Sequence, residues 1–138
     1  MNHAMGTFEV KMAPTTHAPD GSLGSFSLEK IYHGDLEGTG KGEMLSAGDP
    51  AKGNAGYVAI ERVNGVLAGK QGTFAIMQMA TMASGTTPQM QVLIVPGSGT
   101  GQLAGIQGSV KILIEGKQHS YEIDYTFGDA AAAPSGTK

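Results

Sequence analysis

The chain has no cysteine and no tryptophan among its 138 residues. The first absence removes disulfide frameworks, thiolate catalysis and cysteine-based zinc sites, and fits a reducing compartment. Charge is scarce as well: 15% of residues are Asp, Glu, Lys or Arg, against roughly a quarter in an average domain. Nine Lys and Arg face twelve Asp and Glu, a formal charge of −3, with no basic stripe and few aromatics to stack on bases. Nothing here neutralises a phosphate backbone, so nucleic acid is excluded as a partner. The opening Met1-Asn2-His3-Ala4-Met5-Gly6-Thr7 has neither a positive start nor an apolar stretch, and no apolar run reaches the ~18 residues of a membrane span. The expectation is a cytoplasmic protein with no membrane association.

What the chain does have is glycine, 22 residues of 138, about twice the usual share of roughly 7%. Between the Gly and Pro punctuation, apolar residues recur with period two, and no segment makes an amphipathic helix. Strands are expected around Met5–Met12, Phe26–Tyr32, Leu36–Leu45, Tyr57–Val63, Gly72–Ala83, Met90–Val95 and Ser109–Ile114, with an eighth after the Glu115-Gly116-Lys117 turn. In that last one His119, Tyr121, Ile123, Tyr125 and Phe127 share a face. Residues 1–128 read as one domain, and 129–138, with four successive alanines and no periodicity, as a disordered tail.

A weak repeat runs through this pattern. Gly34-x-Leu36-x-Gly38, Gly65-x-Leu67-x-Gly69 and Gly101-x-Leu103-x-Gly105 start 31 and 36 residues apart, each at the entry to a strand. Glycines at such corners permit bulges and tight bends, and bent strands suit closure, which also removes exposed edges. The expected fold is all-β, a closed eight-stranded antiparallel barrel.

Chemistry is less legible. Gly97-Ser98-Gly99-Thr100-Gly101 lacks the helix that a dinucleotide-binding turn requires, and there is no Gly-Lys-Ser/Thr of a phosphate loop. No Gly-x-Ser-x-Gly elbow occurs, and Asp35, Glu37 and Glu43 lie in a stretch that reads as exposed. The histidines, His3, His17, His33 and His119, fall on four segments without metal-ligand spacing, and no metal or cofactor is expected. Glu61 stands mid-strand with Tyr57, Ala59 and Val63 on its face. If that face is the lumen, burial would raise its pKa and equip it for proton transfer or ligand anchoring. Val58 and Ile60 make the opposite face equally apolar, so periodicity leaves open whether Glu61 or Arg62 points inward. Gln78 shares a face with Phe74 and Ile76. Strands five and six are apolar on both faces around Ile76–Ala80 and Val92–Val95, which calls for a cover over the outer face. A homodimer through this region is the expectation.

Tyr57-Val58-Ala59-Ile60-Glu61-Arg62-Val63-Asn64-Gly65, Gly69-Lys70-Gln71-Gly72-Thr73-Phe74 and Val95-Pro96-Gly97-Ser98-Gly99-Thr100-Gly101-Gln102-Leu103, in that order, resemble the bacterial domain-of-unknown-function 3224 family. The resemblance covers roughly residues 5 to 127, and the Val-Pro-Gly-Ser-Gly-Thr-Gly-x-Leu string is its most specific part. It implies a small closed β-barrel of the allene-oxide-cyclase-like kind and no particular activity. The chain departs from the family's pattern at Met79, where a histidine is common, and in having no Trp. Polar and titratable side chains on otherwise apolar strand faces lead instead to the expectation of a binder of a small, largely apolar molecule, oriented by Glu61, Gln78, His119, Tyr121 and Tyr125. An isomerase or cyclase using Glu61, and an interaction module with a packed lumen, are the rival readings.

Overall fold

The computed structural model describes residues 1–128; the expected tail at 129–138 lies outside them. Eight strands follow one another around a closed antiparallel barrel. They are β1 (Asn2–Pro14), β2 (Gly24–Gly34), β3 (Leu36–Asp49), β4 (Asn54–Leu67), β5 (Lys70–Met82), β6 (Gln89–Ile94), β7 (Ile106–Glu115) and β8 (Gln118–Phe127). The expected architecture is therefore the observed one, with most strands longer than their apolar cores suggest. Pairing carries β3 through Gly48↔Ala55 to Asp49↔Asn54, past its expected end at Leu45 and up to a short 3₁₀ turn at Pro50–Lys52. Backbone ladder bonds extend a strand past the point where its side chains stop alternating.

Even-numbered residues of β1, β2 and β3 and odd-numbered residues of β4 turn into the barrel, following the burial of Phe8, Leu28, Tyr32, Leu36, Ala59 and Val63. The inward row of β3 is Leu36, Gly38, Gly40, Gly42, Met44, three glycines in a line. An eight-stranded barrel is just wide enough for its side chains, and this bare strip admits large ones from across and beside it. A β-carbon on Gly40 would lie 2.1 Å from Glu61 Oε2 and 3.2 Å from the Tyr32 ring.

One end of the barrel is plugged. The three leucines of the repeat, Leu36, Leu67 and Leu103, are all fully buried there, with Phe74, Ile106, Tyr121 and Ile123 in the same core. Leu36 and Leu67 pair across β3 and β4, while Leu103 arrives on a 3₁₀ turn, Gly101–Leu103. Tyr121 ties β8 to this end: its hydroxyl accepts from the Leu36 amide at 2.8 Å and donates to the His33 carbonyl at 3.0 Å.

The segment from Val95 to Leu103 supplies the plug and also stands in for a missing strand. β6 ends at Ile94, leaving the first half of β5 without a neighbour on that side. Ser98 Oγ accepts from the Ala75 amide at 2.9 Å, Thr100 Oγ1 from Thr73 at 3.2 Å and Gln102 Oε1 from Gln71 at 2.8 Å. Side-chain oxygens on alternate residues thus meet alternate amides, as a strand's carbonyls would. Gly72 allows the approach, since a β-carbon there would lie 2.1 Å from the Thr100 carbonyl. The Gly-Ser-Gly-Thr-Gly run is a structural cap, with its polar groups spent on the sheet.

An unmet amide beside the core costs about 1–3 kcal/mol. Ser98→Ala is expected to lower unfolding free energy in urea by about that much, while Ser22→Ala, on an exposed turn, changes it by no more than about 0.5 kcal/mol.

Candidate functional site

The opposite end is open. A cavity of about 290 Å³ is walled by Val10, Met12, Leu28, Met44, Met90 and Ile112, with Tyr57, Gln78 and His119 among them and Phe8 and Lys30 at its floor. β6 and β7 meet through a single pair, Leu93↔Ser109, so Met90 and Ile112 flank the thinnest part of the wall. Below the floor the barrel is filled, with only about 10 Å³ of space among Phe8, Tyr32, Glu61, Ile76, Val92 and Tyr121.

Between plug and mouth lies a buried charged triad. Glu61 is 4% exposed and Lys30 7%. Lys30 Nζ donates to Glu61 Oε1 at 2.6 Å, and the Tyr32 hydroxyl donates to Glu61 Oε2 at 2.6 Å. The Lys30 ammonium also stands 5.1 Å from the centre of the Phe8 ring, a favourable cation–π distance. Among the described residues no buried side-chain nitrogen or oxygen is without a partner. Burial, reinforced by the charge of Glu61, holds the Tyr32 hydroxyl well above its ordinary pKa of 10.0, so it remains a donor to the carboxylate.

The five side chains singled out from sequence are divided by this geometry. Glu61 faces the lumen and Arg62 faces out, donating to Thr73 Oγ1 at 3.3 Å. Gln78 and His119 line the mouth, where the Gln78 amide donates to the Tyr57 hydroxyl and the His119 ring lies 5.2 Å from that of Phe8. Tyr121 and Tyr125 belong to the buried core, away from the mouth. Sequence reasoning missed Lys30 and Tyr57 as site residues and gave Tyr32 no role beyond marking a strand. The signal for Lys30 was present: Phe26, Leu28 and Tyr32 fix the inward parity of their strand, and Lys30 is in phase with them.

The remaining histidines are outside, each against a carboxylate: His3 with Asp124 at 2.7 Å, His33 with Glu9 at 2.9 Å and His17 with Glu43. Its hydrogen bond to the Asp124 carboxylate raises the pKa of the exposed His3. Among the described residues no three His, Asp or Glu side chains gather as a metal would need, and no helix is long and apolar enough to cross a membrane.

Fold and site together define a small closed-barrel protein, plugged at one end and open at the other over a buried ion pair. Residues 4–125 match the family described as "Protein of unknown function (DUF3224)". The chain belongs to the DUF3224 family. It is similar to a crystal structure of a DUF3224 protein of unknown function from Shewanella oneidensis MR-1, at 42% identity and a TM-score of 0.85, over 94% of this chain and 99% of that one. No curated protein matches the chain.

Two outcomes follow from the triad. Removing one member of a buried ion pair strands the other and costs about 3–5 kcal/mol, whereas replacing both with apolar groups is often neutral. Glu61→Leu alone is expected to lose that much in urea denaturation, and the double variant Lys30→Met with Glu61→Leu to recover most of it. Burial raises the pKa of all four tyrosines, Tyr32, Tyr57, Tyr121 and Tyr125. Raised folded-state values stabilise fully below the unfolded pKa of 10.0 and are lost as pH climbs through them. Phenolate absorbance should therefore lag behind that of free tyrosine above pH 10 and rise together with alkaline unfolding.

Proposed function

We propose that the chain binds a small, largely apolar molecule in the open mouth, its polar end against Lys30. The observation that carries this is an apolar cavity of about 290 Å³ floored by a buried ammonium. Small-ligand sites have that form: mostly apolar walls, a few placed polar groups, and volumes from roughly 300 Å³ upward. An ammonium has three N–H donors, and Glu61 takes one of those on Lys30. The ligand's polar end is best a neutral acceptor such as a carbonyl or hydroxyl, because Glu61 already balances the charge of Lys30 and a second carboxylate would bury a net negative charge. Tyr57, Gln78 and His119 offer further polar contacts at the rim.

Binding is favoured over proton transfer by Glu61 on one ground: both of its oxygens are engaged, by Lys30 and Tyr32, beneath the floor of the cavity. A bacterial source accords with the Shewanella relative, and a cytoplasmic setting with the cysteine-free composition.

Native mass spectrometry tests the reading. The purified chain, incubated with a bacterial lipid and metabolite extract, is expected to carry one small compound per chain, released on denaturation. Met90→Trp and Ile114→Trp enlarge two rim residues that are 47% and 59% exposed, so the fold should persist while occupancy drops at least tenfold. A chain that stays bare, or Trp variants that bind as well as the parent, would remove the mouth from consideration.

A further inference from the structure

The outer wall across β3 to β6 carries an apolar surface that the mouth does not explain. Leu45, Val58, Ile60, Met77, Met79 and Leu93 all point outward and are between 36% and 59% exposed. The strand registers make them one patch in two rows. Glu43, Ile60, Met77 and Leu93 lie side by side in the first, and Leu45, Val58, Met79 and Gln91 in the second. A groove of about 430 Å³ runs over them, closed on the β2 side by His17, which bonds Glu43.

We propose that this face is where two copies of the chain meet. The six apolar side chains leave on the order of 500 Å² open to water, near the top of what a monomer exposes. With their polar surround they approach the ~800 Å² per partner of a standard interface. The patch also suits itself. A two-fold axis lying in the interface and running along the strands sets β4 of one copy over β5 of the other, so Ile60 meets Met77 and Val58 meets Met79. The same operation places β3 of one copy over β6 of the other, leaving Glu43 and Gln91 at the polar border of the patch. Each contact is made twice by the symmetry, as an isologous interface requires. Unbranched methionines in the middle of the patch adapt their shape to an opposing surface.

Sedimentation equilibrium of the full chain, from low micromolar concentration upward, tests this. The parent should sediment at twice its 14.1 kDa. Ile60→Glu and Met79→Glu should each weaken self-association at least tenfold, and because both side chains already face water, the circular dichroism spectrum should not change. A monomer at all concentrations, including one found with an apolar compound in the groove, overturns the proposal. So does a dimer indifferent to Ile60→Glu and Met79→Glu. These outcomes are read without any ligand in the mouth, so the two proposals stand or fall separately.

Discussion

Everything inside this barrel is arranged around one buried carboxylate. Glu61 sits where a side chain in an eight-stranded barrel is normally aliphatic, and an ion taken out of water is tolerable only if it is paired and hydrogen-bonded. Lys30 and Tyr32 meet that demand from the same strand, two residues apart and on one face. Three long side chains then converge on a small cross-section, and the room for them comes from β3, whose inward positions opposite are Gly38, Gly40 and Gly42. The glycine stripe and the triad are thus one feature. A side chain on Gly40 would displace the carboxylate, and loss of the carboxylate would leave an ammonium and a hole.

The triad also divides the lumen. Beneath it, large apolar side chains and the Leu103 plug fill the space almost completely. Above it, the inward positions are Met12, Leu28, Met44, Tyr57, Gln78, Met90 and Ile112, which do not reach across. The asymmetry comes from the connections. The excursion between β6 and β7 folds back as a cap at one end, while at the mouth end the β1–β2 connection bonds Ser25 and Glu43 at its own side of the rim, and β3 passes to β4 through the short Pro50–Lys52 turn. A polar floor with an apolar wall above it is therefore built into how the chain crosses from strand to strand.

Most of the architecture was legible in the sequence because alternation, glycine punctuation and the Gly-x-Leu-x-Gly repeat all report on backbone geometry. The repeat marked the leucines that close the barrel, though not that they do so. What escaped depends on parity and on pairing. The inward face of β4 could not be chosen, since Val58 and Ile60 are as apolar as Tyr57, Ala59 and Val63. Lys30 escaped for a different reason: a lysine between Glu29 and Ile31 has the look of a solvated face, although Leu28 and Tyr32 fix its direction. The carboxylates hydrogen-bonded to His3, His17 and His33 lie from 24 to 121 positions away in sequence, so only the fold brings these pairs together.

The ambiguity of β4 carries physical content of its own. A strand in a single-layered wall has one face to the core and one to water, and only the inner one needs to be apolar. When the outer row is largely apolar too, on β4 and at most facing positions of β3, β5 and β6, the wall has the composition of a buried layer, and among the described residues no second layer covers it. Those same strands line the mouth from within: Met44, Tyr57 and Gln78 point inward beside the outward Leu45, Val58 and Met79. Any surface that covers the outer patch therefore braces the wall of the cavity, and the two-sided apolar pattern that obscured the parity of Glu61 couples the mouth to whatever lies against its outer face.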